Sequence, residues 1–175
     1  MSSIRTRLAL ALALLVASVQ AAELSAPNLV SISPRLVTAG QPSAQELAKL
    51  KDLGFGAVVY LAPPTVQDAV RDEPLIVGRQ GLVFINIPIR FEAPSDADFD
   101  AFAAAMRGLG ERKVLVHCQV NLRASSMVFL YRAIVLKENP RLAYEAVEKV
   151  WVPDRAWRPF IERTLRRHGI DFELI

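Results

Sequence analysis

Val114-Leu115-Val116-His117-Cys118-Gln119-Val120-Asn121-Leu122-Arg123-Ala124-Ser125 is the stretch that decides how the rest of the chain is read. An apolar run with two valines reads as a buried strand, here from Lys113 to His117. It stops at a cysteine, passes through a few loop residues and enters a helix at Arg123. Met127, Leu130, Tyr131 and Ile134 repeat at helical spacing beyond it. A strand that ends in a loop and feeds a helix is the βα unit of an α/β sheet, and such sheets bind ligands at the C-terminal edge of their strands. Cys118 stands at that edge. Loop N–H groups and a helix N-terminus favour negative charge there, which predicts an anion site that also favours the thiolate of Cys118. Arg123 adds a planar, two-pronged donor suited to an oxyanion.

Outward from this unit, strand and helix signals alternate. Residues 29–38 read as one extended stretch running into Thr38-Ala39-Gly40-Gln41-Pro42. Ser43 with Glu46 predicts a capped helix through Leu47, Leu50 and Leu53, stopped by Gly54. Ala57 to Leu61 reads as a buried strand and Leu82 to Ile89 as another, with a loop and short helix between them. Ser95 with Asp98 caps a helix whose apolar side is Phe99, Phe102, Ala103 and Met106. Residues 141–150 and 154–168 predict two more helices. The expectation is an α/β domain spanning residues 22–175: a central, mostly parallel sheet of 4–5 strands flanked by helices, with a helical C-terminal part.

Composition narrows the chemistry. The chain has 175 residues, enough for one ordinary domain, and is 52% hydrophobic with a net charge of +3, which excludes a disordered chain. One cysteine excludes an intrachain disulfide or a multi-cysteine metal site, and two histidines leave little for a metal cluster. No metal and no organic cofactor are expected. Nor is nucleic acid an expected partner, because a charge of +3 is not a concentrated basic surface. Residues 1–21 read as an export signal: Arg5 and Arg7, an apolar run from Leu8 to Val16, then small residues before a cut after Ala21. The run is too short to span a bilayer comfortably. A periplasmic or secreted location follows, with no membrane contact beyond export. A lone thiol in such a compartment is either buried and inert or exposed and reactive, and the flanking His117 and Arg123 favour the reactive alternative.

Together these residues resemble the bacterial DUF442 family, a group similar to dual-specificity phosphatases within the cysteine-based protein tyrosine phosphatase superfamily. The resemblance rests on Thr38-Ala39-Gly40-Gln41-Pro42-Ser43, Asn86-Ile87-Pro88, His117-Cys118, Asn121-x-Arg123-Ala124-Ser125, and Trp151-x-Pro153 with Trp157. It implies a dual-specificity-phosphatase-like fold and a phosphate-ester or other oxyanion substrate, hydrolysed through a thiophosphoryl enzyme. Cys118 is then the nucleophile, with Gln119, Val120, Asn121, Leu122, Arg123 and Ala124 forming the substrate loop. His117, Ser125 and Gln41 are supporting residues. Ser125 is the hydroxyl that helps the thiolate leave. The general acid belongs on the segment from Pro88 to Asp100, and Glu92 is the candidate, since Arg90 cannot donate a proton and Asp98 is engaged as a cap.

Two features set this loop apart from the superfamily pattern. Only four residues separate Cys118 from Arg123, where that pattern has five, so Ala124 occupies the usual arginine place. The loop also has no glycine; Asn121 is the residue best able to adopt a left-handed conformation. Four-residue spacing is shared with rhodanese-like sulfurtransferases, which keeps open sulfur transfer through a Cys118 persulfide. A non-catalytic anion- or partner-binding module is the other alternative.

Overall fold

A computed structural model describes residues 23–174. The predicted export signal lies outside the described residues. Five strands form one sheet: β1 (Val30–Ser33), β2 (Leu36–Ala39), β3 (Ala57–Tyr60), β4 (Val83–Asn86) and β5 (Val114–His117), in the order β1-β2-β5-β3-β4. All neighbouring pairs are parallel except β1 with β2. The single extended stretch expected over residues 29–38 is thus a hairpin. Pro34 has no N–H to give to a ladder, and it sits at the turn.

The helices are α1 (Ala44–Leu47), α2 (Glu73–Arg79), α3 (Asp96–Leu109), α4 (Leu122–Ile134), α5 (Pro140–Glu148) and α6 (Trp157–Arg167). α1 is shorter than its leucine spacing predicts. Ser43 caps it by accepting from the Glu46 amide, but the Glu46 carboxylate turns to Lys49 and the Ser25 amide instead of closing the capping box. Turns carry Leu50 into the core instead. The Ser95–Asp98 box is complete, and α3 follows with Phe99, Phe102, Ala103 and Met106 all buried, as the spacing predicts.

The alternation of β5 sorts two cores. Val114 and Val116 face the larger one with α3, α4, α5 and α6, whereas Leu115 joins Val37, Val58, Leu47 and Val77 against α1 and α2. β5 is buried at every position and lies between β2 and β3, so its last residues are held from both sides. α4 continues from it and is buried nearly all round, packed against α3, α5 and α6. The loop between β5 and α4 therefore stands between two deeply buried elements.

Candidate active site

The loop has no glycine, and its left-handed turn falls on asparagine. Asn121 is left-handed (φ 72°, ψ 0°), a conformation asparagine tolerates better than other side-chain-bearing residues. Its buried side-chain amide donates to the Asn28 carbonyl and to Thr38 Oγ1 at the end of β2. Asn28 returns the contact, donating from Nδ2 to the Val120 carbonyl at 3.0 Å. On the same side Gln41 N donates to the Gln119 carbonyl at 2.9 Å. A side chain at Gly40 would put its Cβ 2.8 Å from that carbonyl and 2.8 Å from Pro27 Cβ, so only glycine fits. Three loop residues are thus pinned from behind by the segments at 27–28 and 38–41.

Arg123, the second residue of α4, is 6% exposed. Its Nε donates to the Ile89 carbonyl at 3.0 Å, and Nη1 approaches Gln119 Oε1 at 3.4 Å. The guanidinium lies over the Phe91 ring, 5.1 Å from its centroid. Beside it opens a cavity of about 440 Å³ lined by Arg90, Phe91, Glu92, Gln119, Val120, Leu122 and Arg123, with Pro63 and Val66 on the far wall. Glu92, the candidate acid, is exposed and lines this cavity.

Cys118 does not line it. The residue is 0% exposed, its N–H bonded to the Ala39 carbonyl at 3.2 Å. This departs from the exposed thiol the sequence favours. β2 and β3 flank the strand end, and Cys118 packs in the larger core with the first turns of α4. Ser125 is also differently engaged: its hydroxyl donates to the Leu122 carbonyl at 3.2 Å, within its own helix. Ala124 is wholly buried.

Sequence reasoning missed a buried acidic residue behind the loop. Glu73, the first residue of α2, is 1% exposed, and its Oε1 lies 2.6 Å from His117 Nε2. Glu73 Oε2 accepts from Gln41 Nε2 at 2.9 Å. The His117 ring stacks on Tyr60 at 4.7 Å. Burial, reinforced by the carboxylates of Glu73 and Asp68, pushes the Tyr60 phenol above its ordinary range. An acidic residue ahead of Pro74 reads from sequence as a first-turn partner of the helix dipole, so nothing marked it for burial. Asp68 was equally silent. It is exposed, on the connection from β3 to α2, and accepts from Gln119 Nε2 at 2.9 Å. Gln41, expected from the resemblance as a supporting residue, lies between the loop backbone and the Glu73–His117 pair.

A mostly parallel, mixed sheet whose central strand delivers a cysteine into a short loop ahead of a buried helix defines a dual-specificity-phosphatase-like protein. The chain belongs to the family described as DSP-PTPase phosphatase fused to NAD+ kinase, which matches residues 16–152. Among solved structures it is similar to a candidate phosphatase of the DUF442 group from Shewanella putrefaciens CN-32, with 29% identity, a TM-score of 0.75, and 82% of this chain and 92% of that one covered. Tk-PTP in its active form shares the fold at 22% identity and a TM-score of 0.68, over 81% of this chain and 98% of its own. So does TpbA of P. aeruginosa, solved with phosphotyrosine, at 24% identity and a TM-score of 0.57, over 69% of this chain and 72% of its own. No curated protein matches the chain.

Proposed function

We propose that this protein is an exported, cysteine-dependent phosphatase acting on phosphate monoesters. The observation that carries the reading is the loop from Cys118 to Arg123, set between a buried strand and a buried helix in a chain of the DSP-PTPase family. Arg123 and the loop amides hold the equatorial phosphoryl oxygens. The Cys118 sulfur attacks phosphorus, forming an S–P bond as the ester P–O bond breaks. Glu92 gives its proton to the departing alcohol oxygen. Water then attacks phosphorus and passes a proton to the Glu92 carboxylate, and the S–P electron pair returns to sulfur. Since Cys118 is covered in the free protein, its sulfur must be uncovered before attack.

The complete burial of Cys118 favours a second reading, oxyanion binding without turnover. One comparison separates the two. The phosphatase reading expects release of p-nitrophenol from its phosphate, inhibition by vanadate, and loss of turnover in Cys118→Ser. Folded protein that releases no phenol, yet binds phosphate equally well as Cys118→Ala, overturns it in favour of binding alone.

A further inference from the structure

The tryptophans of the C-terminal part have no place in the chemistry above, yet one of them reaches Arg123 in two contacts. Trp157 opens α6 and is 1% exposed. Its indole Nε1 donates to the Phe91 carbonyl at 2.8 Å, and the two rings lie 5.8 Å apart. Phe91 in turn carries the Arg123 guanidinium on its face at 5.1 Å. The segment holding Phe91 has no regular structure, and among its backbone bonds are those from Ile89 N to Leu61 and from Ala93 N to Arg90. The Trp157 bond therefore adds a side-chain anchor at the Phe91 carbonyl, between the bonds made by Ile89 and Ala93. Ile89, two residues earlier, accepts the Arg123 Nε–H. Arg123 thus meets this one segment twice, through a carbonyl and through a ring, and Trp157 holds the segment in place.

We propose that Trp157 is a positioning residue for Arg123, coupling helix α6 to the oxyanion-binding end of the loop. With Nε occupied by Ile89 and Nη1 turned to Gln119, Nη2 has no partner among the described residues and is left for an incoming oxyanion in the cavity that Arg123 and Phe91 share. The proposal rests on the reading of Arg123 as the oxyanion ligand, but it does not require turnover. It also gives a displaced arginine, one place early in the loop, a support suited to its own position. Trp151 is the built-in control. Its ring packs on Phe91 at 5.9 Å, but its buried indole nitrogen has no hydrogen-bond partner among the described residues.

The test is vanadate binding to the full chain, measured by calorimetry for wild type, Trp157→Phe, Trp151→Phe, Arg123→Lys and the double variant Trp157→Phe/Arg123→Lys. Trp157→Phe keeps a ring but strips the Phe91 carbonyl of its donor, and the expected result is Kd raised about tenfold. Trp151→Phe stays within about twofold, since it loses no bond. In the Arg123→Lys background the Trp157 effect shrinks, because a residue acting through Arg123 has nothing left to position. Thermal melts of each variant identify any that are unfolded at the assay temperature, and the whole series is then measured at a lower temperature at which Trp157→Phe is folded. Undiminished affinity in a folded Trp157→Phe, or an equal loss with and without Arg123, overturns the proposal while leaving the phosphatase reading intact. Vanadate binding with the expected pattern but no ester hydrolysis supports the proposal and sinks the phosphatase reading. Wild-type protein that binds no oxyanion overturns both.

Discussion

Asn121 does with one side chain what glycine and separate anchors do elsewhere: it accepts a left-handed backbone and ties that backbone to Asn28 and Thr38. The two contributions can be separated. Asn121→Gly keeps the conformation and loses the bonds, costing about 1–2 kcal/mol. Asn121→Ala loses the bonds and strains the backbone as well, and is expected to cost about 1 kcal/mol more. Urea melts of the two variants give the order; equal costs would show that the backbone is not what demands asparagine. Glu73 is the residue with more at stake. Glu73→Ala leaves the His117 ring nitrogen and the Gln41 amide facing an empty buried site and is expected to cost about 2–4 kcal/mol, the range for stranding buried polar groups beside a new cavity. A loss under about 1 kcal/mol in the same melts would contradict the tight contact.

Packing decides matters at the level of helices and strands. Phe102 of α3 is wholly buried against the Tyr131 ring of α4, 6.1 Å away. Phe102→Ala is expected to lower stability by about 3–5 kcal/mol through lost burial and the cavity left behind, read from the urea midpoint. α3 was legible in the sequence because four buried positions recur at the helical period behind a complete capping box. β5 and the start of α4 were legible because an all-apolar strand ends at a sharp polar change. α1 was not, because its leucines enter the core from turns as readily as from a helix, and spacing does not tell the two apart. Nor was the β1–β2 hairpin, whose turn at Pro34 carries none of the glycine or asparagine signals of a two-residue loop. The loop residues at the site were legible as a motif. Their geometry was not: the covering of Cys118 and the inward turn of Glu73 arise from tertiary packing, which leaves no local trace.

For the molecule as a whole, two of the three tyrosines tie its stability to alkaline pH. Burial raises the phenols of both Tyr60 and Tyr144, with nearby carboxylates adding to the effect. A raised native value means that the folded protein holds these protons more tightly than the unfolded chain. Their contribution is complete below about pH 10, the unfolded value, and is lost as pH climbs through the native values. Urea midpoints should therefore hold steady from pH 8 to 9.5 and fall above pH ~10.5, and phenolate absorbance from these two rings should appear together with unfolding. Full ionisation of all three tyrosines in protein that keeps its native fold would contradict the packing around Tyr60 and Tyr144.

Pro27 and Asn28 are easily overlooked, exposed and outside every strand and helix, yet Gly40, Val120 and Asn121 all depend on them. Protein engineers habitually trim such a leading tail to obtain crystals or attach a purification handle there. Cut back to Leu29, this chain would lose two direct fastenings of the loop after β5 and one of Gly40 behind it, and an assay of the shortened material would measure the damage done by the scissors.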